Sequence, residues 1–301
     1  MYLTIRALPP FDFDLSATIF AGGDPHIRTY ENGKFWQVLR FDGKLVLVTI
    51  SSSGTVDTPE LTVELTGEIA TSDKNQIEDL VTAIFNLTLD LTAFYDVVKN
   101  DKVLSTLTQK LRGLKSPTTP TVFEALVDSI IEQQISLNVA HVLERNVIKT
   151  FGDQLTVNDK VYYAYPTPQN IAAGTVEQLR NCGLSMRKAE YIHGIATAMV
   201  KGNLDLERYK TYEDPEAIIK EMVKIRGIGV WTAELTMLRG MHKLEAFPAD
   251  DLGLRRHIAQ YYCNDRKITG AEAREIAEQW GRWKGLAGYY LILASRLGLE
   301  L

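Results

Sequence analysis

The hydrophobic period of this chain changes once, and that change decides most of what it can fold into. Within the first 70 residues the apolar positions follow strand rules: KLVLVTI at 44–50 is apolar and β-branched, and LTVEL at 61–65 alternates. Glycine-containing breaks separate the runs, so an antiparallel sheet is expected. From Lys74 the period lengthens to that of a helix, through IEDLVTAIFNL, LTAFYDVV and VLSTLTQKLRGL. SPTTPT at 116–121 then interrupts the pattern and is expected to be a domain boundary.

Beyond that boundary every segment reads as helix. Phe123, Leu126, Val127, Ile130 and Ile131 follow the i, i+3, i+4, i+7, i+8 spacing of one buried stripe, and Ser136 is placed to cap the next helix. Thr167-Pro168 and Asp214-Pro215 each set a capping residue before a proline at the first helical position, while Gly183 and Gly202 fit C-terminal stops. No period of about 20 to 50 residues recurs, which excludes a solenoid. The expected class is α+β, with an N-terminal antiparallel β-sheet and helices over 1–115 and an all-α domain over 116–301. A length of 301 residues suits two domains.

Composition narrows the function classes. The 45% apolar and 24% charged residues are those of an ordinary globular chain, so extended disorder is not expected. No apolar run approaches the ~18 residues of a membrane span, and MYLTIRALPPFDFD has acids and prolines where a secretory signal needs an apolar stretch. A soluble, cytoplasmic protein is expected. Cys182 and Cys263 lie 81 positions apart, with neither a CxxC nor a four-cysteine spacing, so no structural zinc, iron-sulfur cluster or redox centre is implied. The net charge of -5 taken alone opposes a nucleic-acid partner. However, residues 1–115 hold 11 Lys/Arg against 15 Asp/Glu, and the remainder 22 against 23, so the acidity is mostly N-terminal. Between residues 220 and 257 seven bases stand against five acids, which leaves room for a basic face.

In that basic stretch, helix-forming EAIIKEMVKI (216–225) runs into Arg226-Gly227-Ile228-Gly229 and then into helical VWTAELTMLRG. A turn this tight aims main-chain N–H groups and the positive end of the second helix outward, which suits a phosphate. It is equally the turn of an ordinary αα-hairpin. The surrounding residues add to it: IRGIGVWTAE resembles the helix-hairpin-helix of DNA glycosylases, and in the FPADDLGLRR that follows, Asp251 lies 20 residues after Trp231, where that superfamily places its catalytic aspartate. LDLTAFYDVVKNDKVLSTLTQKLRGLK (89–115), FEALVDSIIEQQISLNVA (123–140), LRNCGLSMRKAEYI (179–192) and WGRWKGLAGYY (280–290) match as well. Together they resemble the 3-methyladenine DNA glycosylase II (AlkA-type) family, strongly from about residue 85 and loosely before it.

The resemblance implies two helical subdomains with an active cleft between them. It implies a monofunctional glycosylase that flips alkylated bases out of damaged double-stranded DNA and hydrolyses the N-glycosidic bond, the first step of base excision repair. Bifunctional relatives carry a lysine nucleophile where Trp231 stands, and without that amine no Schiff base forms to drive strand cleavage. The 8-oxoguanine enzymes are disfavoured for the same reason. Asp251 matches the catalytic position, with Asp250 as the alternative, and either can also cap the helix LGLRRHIAQYY. A carboxylate there would stabilise positive charge on the deoxyribose.

Trp231 would offer its indole face to a cationic base, with Tyr289 and Tyr290 as further aromatic walls, though packing in the core suits all three. The family often has tryptophan where this chain has Ile292, which alters the pocket. Gln134, or Gln133 beside it, fits the residue that fills the gap left in the duplex, or else a helix cap. Arg226, Gly227 and Gly229 would meet DNA at the hairpin, and Arg187 and Lys188 suit either phosphate or solvent. No cofactor and no side-chain metal site are implied, although hairpin carbonyls could hold a monovalent cation. A monomer is expected. Two other readings remain open at this level: a deaminated-base (hypoxanthine or uracil) glycosylase, and a non-catalytic helix-hairpin-helix DNA-binding module.

Overall fold

The computed structural model describes residues 1–299, and its N-terminal strands form one antiparallel sheet. The strands are β1 (Tyr2–Arg6), β2 (Arg28–Glu31), β3 (Lys34–Phe41), β4 (Lys44–Ser52) and β5 (Glu60–Thr66), in the order β1-β5-β4-β3-β2. The two runs read as strands from the sequence are thus neighbours inside the sheet. On one face, Val46, Val48, Ile50, Leu61, Val63 and Leu65 pack with α1 (Phe13–Phe20) and α2 (Lys74–Ile84).

The other face of the sheet carries a correction. Residues 154–163, expected within an all-helical region, form a hairpin of β6 (Gln154–Val157) and β7 (Lys160–Tyr163). QLTV and KVYY are rich in β-branched and aromatic residues, and Asn158 and Asp159 between them both take left-handed φ, the geometry of a tight two-residue turn. Leu155, Val157 and Tyr162 cover Val38 and Leu47 of the sheet, and the Tyr163 N–H donates to the His26 carbonyl at 2.8 Å. The sheet is thereby joined to the helical region.

The remaining helices divide into two cores. One is formed by α3 (Leu91–Val98) and α4 (Lys102–Lys110) together with the C-terminal helices α12 (Leu252–Tyr262), α13 (Gly270–Ala277) and α14 (Lys284–Arg296). The other contains α5 (Val122–Glu132), α6 (Leu137–Phe151), α7 (Pro168–Ala173), α8 (Val176–Asn181), α9 (Met186–Val200), α10 (Pro215–Met222) and α11 (Val230–Gly240). The chain therefore leaves the first core, builds the second, and returns. Thr121, Thr167, Ser185 and Asp214 cap their helices through side-chain oxygens, whereas Ser136 occupies the N-cap of α6 without a side-chain bond.

Candidate active site

The hairpin and the aspartate pair come together where the two helical cores meet. Asp251 is the N-cap of α12: its Oδ1 accepts from the Leu254 N–H at 2.8 Å. Its second oxygen accepts from the Trp231 indole N–H at 3.3 Å. One carboxylate thus bridges the first turn of α12 and the first turn of α11, and capping uses only one of its two oxygens. Asp250 is oriented differently. Its carboxylate lies against the Gly270 backbone, where an added Cβ would sit 2.3 Å from Oδ1, and its charge acts on the Glu234–Arg274 pair. That pair is bidentate at 2.7 and 3.2 Å with Glu234 buried, and it joins α11 to α13.

In the hairpin, Gly227 takes φ +94°, and a Cβ there would meet the Tyr191 ring at 2.2 Å. This glycine is required by backbone conformation and by packing together. Gly229 is different: it is the N-cap of α11, has no side-chain cap bond, and has open space where a Cβ would project. The N-terminal amides of α11 consequently have no capping side chain of their own, the condition under which a helix end accepts an anion. Arg226 is 77% exposed in its side chain, pairs with Glu190 at 3.0 Å and lies over Tyr191. For a monovalent cation the available ligands here are main-chain carbonyls. That of Gly227 accepts from Gln133 and that of Ile225 from the Ile228 N–H.

The two glutamines between α5 and α6 have opposite orientations. Gln133 turns inward, its side-chain amide donating to the Gly227 carbonyl and to Thr232 Oγ1, each at 3.0 Å. Gln134 is exposed and takes φ +57°, a left-handed backbone that points the turn outward. Lys188 is also committed internally: its ammonium donates to the Ile131 and Gln133 carbonyls at 2.8 and 2.7 Å. Arg187 beside it is exposed.

A cavity of about 210 Å³ lies along the junction of the two cores. That is more than ten times the roughly 10–15 Å³ a single water needs, so it admits a group with many atoms. Leu235 and Leu254 line it together with Phe247 and Tyr289, whereas Trp231 and Asp251 themselves stand one helical turn before Leu235 and Leu254 and do not line it. Tyr289 therefore reaches the cavity, and burial pushes its phenol pKa up. Tyr290 does not. It is fully buried between Phe94 and the segment after α4, and its hydroxyl donates to the Leu114 carbonyl at 2.7 Å. Successive residues on a helix face about 100° apart, so only one of the two can face the cleft. Ile292, the departure from the family pattern, also lines the cavity.

The far side of the cavity is charged, and sequence reasoning missed it entirely. Asp128 and Glu132 of α5, Glu144 of α6, Arg239 of α11, and Phe20 and Arg28 of the sheet domain all line it. Arg239 pairs with Glu132 at 2.6 Å. Arg28 sits 3.9 Å from Glu124 and 3.7 Å from Glu144, over the Phe20 ring. Burial pushes the Glu124 carboxyl up to about 8 and raises Asp128 as well, despite the 2.6 Å hydrogen bond that Asp128 accepts from Tyr165. Glu144 goes the other way: burial opposes its charge, but the His141 hydrogen bond and Arg28 outweigh it. Acids one turn apart on α5 were the available signal, although nothing local says that Arg28 would meet them.

Comparison with known proteins agrees with this geometry. A DNA-3-methyladenine glycosylase of Bacillus subtilis is 37% identical over 209 residues, covering 69% of this chain and 68% of its own. DNA-3-methyladenine glycosylase 2 of Escherichia coli is 30% identical over 175 residues, 58% of each chain. The solved 3-methyladenine DNA-glycosylase of Archaeoglobus fulgidus superposes with a TM-score of 0.87 at 29% identity, covering 99% of this chain and 100% of that one. The family model of the HhH-GPD superfamily base excision DNA repair proteins matches residues 127–282, more than half of the sequence and all of the hairpin and aspartate region. The chain belongs to the HhH-GPD superfamily of base excision DNA repair proteins.

Proposed function

We propose that this protein is a monofunctional DNA glycosylase that removes alkylated bases of the 3-methyladenine type by hydrolysis. The observation that carries the reading is the placement of the Asp251 carboxylate, which bridges the α12 cap and the Trp231 indole one helical turn before Leu254 and Leu235, two residues that line a cavity of about 210 Å³. Flipping a nucleotide out of the duplex costs a few kcal/mol, less for a damaged pair. An alkylated purine that carries positive charge is already a good leaving group, so the remaining task is to stabilise the charge that grows on the deoxyribose. In this reading Asp251 does so electrostatically and orients the attacking water. Asp250 is a structural residue that holds the loop against α13.

Trp231 and Tyr289 are the aromatic walls met by the base. Gly229 and the α11 amides hold a phosphate, with Gly227 shaping the turn and Arg226 alongside. Gln134 enters the vacated stack. The residue at 231 is not an amine, so no Schiff base and no strand cleavage are expected. DNA containing damaged bases is the partner. The names of the similar proteins support the alkylated-base class. The test is to incubate methylated DNA with the protein and identify the bases released. Release of 3-methyladenine supports the reading, whereas release of hypoxanthine or uracil alone from deaminated DNA would replace it.

A further inference from the structure

The turn that carries Gln134 is braced from two sides, more than a surface loop requires. The last carbonyls of α5 have no partners within the helix, and Lys188, reaching over from α9, accepts the task for two of them: its ammonium donates to Ile131 and Gln133 at 2.8 and 2.7 Å. It also sets a positive charge at the negative end of α5. From the opposite side the Gln133 amide reaches the Gly227 carbonyl in the hairpin and the hydroxyl of Thr232, the residue after Trp231. Only the amide nitrogen can face a carbonyl, so the orientation of this side chain is set by its partner. Between these braces, Gln134 holds a left-handed backbone that non-glycine residues adopt only where neighbours impose it.

We propose that Gln133 and Lys188 are positioning residues for base flipping: they lock the Gln134 turn to the hairpin, so that duplex insertion and phosphate holding keep one fixed separation. The inference rests on the roles given above to Gln134 and the hairpin. A side chain that enters the stack offsets lost stacking only if its base cannot recoil. The brace supplies that resistance by joining α5, α9 and α11 at one point.

The test compares single-turnover release of the same methylated adenine when it is paired with thymine and when it lies opposite an abasic position. The ratio of the two rates within one variant is independent of how much protein is folded, so a merely structural defect leaves it unmoved. Gln133→Glu keeps the size but sets an acceptor against the Gly227 carbonyl, and Lys188→Met removes the donor. Both should lower the paired-to-unpaired ratio about tenfold. Lys188→Arg, which retains donors, should restore it. Gln133→Glu added to Gln134→Ala should lower the ratio no further than Gln134→Ala alone, because both act through one insertion. An unchanged ratio in either Gln133→Glu or Lys188→Met, while Gln134→Ala lowers it, overturns the brace and leaves Gln134 in its role. An unchanged ratio in Gln134→Ala itself removes the insertion role, and the proposal with it.

Discussion

Asp251→Asn should abolish most base release while leaving the fold and the DNA affinity nearly intact. Asparagine caps a helix about as well as aspartate, so the 2.8 Å bond from the Leu254 N–H survives. What changes is the other oxygen. The amide nitrogen then confronts the Trp231 N–H, which now finds an acceptor at 3.3 Å, and one hydrogen bond worth about 1 kcal/mol is lost. The larger effect is on the reaction. A carboxylate about 4 Å from a developing positive charge, at an effective dielectric constant of about 20, contributes about 4 kcal/mol. That is about three decades in rate. The assay is single-turnover release of 3-methyladenine from methylated DNA with enzyme in excess, beside a thermal unfolding curve and a binding isotherm. A loss of about a thousandfold, with affinity within a few-fold, is expected, since the charge acts on the transition state and not on phosphate. Release at the unmutated rate would refute the electrostatic argument and move the chemistry to Asp250.

Further consequences can be measured directly. Because residue 231 is tryptophan, borohydride should trap no covalent protein–DNA adduct and the product strands should stay intact until alkali is added; a trapped adduct would show that another amine takes part. Gly229→Val meets nothing within 4 Å and should fold, yet its side chain stands before the α11 amides, so affinity should fall for all DNA sequences alike and the salt dependence should shrink by about one phosphate contact. Unaltered binding would reduce Gly229 to a turn residue. Glu124 gives a pH signature: its folded pKa of about 8 lies above the ordinary 4.5, so the folded state keeps a proton that the unfolded chain has released. Its contribution to stability is complete below about pH 4.5 and is lost as pH rises towards 8. Glu124→Gln should therefore raise the melting temperature more at pH 8 than at pH 5; an equal shift at both would contradict the assignment.

Much of this molecule was legible in local pattern. The continuous β-branched run KLVLVTI marks β4, alternation in LTVEL marks β5 because side chains on a strand repeat every two residues, and the stripe from Phe123 to Ile131 marks α5 because a helix repeats every 3.6. The hairpin glycines and the absence of an amine at 231 are likewise properties of single positions. Local pattern fails where a face is chosen by a distant element. LAGYYLILA in α14 is apolar all round, so nothing within it says that Tyr290 faces Phe94 and Tyr289 the cavity; the packing of α3 and α4 against α14 decides that. The adjacent glutamines differ for the same reason. Gln133 is held inward by Gly227 and Thr232, more than 90 positions away, and only the docking of α5 on α11 brings them within hydrogen-bond range. The charged wall is the extreme case, since Arg28 comes from the sheet domain, Asp128, Glu132 and Glu144 from α5 and α6, and Arg239 from α11. Burial and pairing of these charges exist only once the three parts are packed, and it is tertiary structure alone that raises Glu124 and Asp128 above ordinary carboxyls.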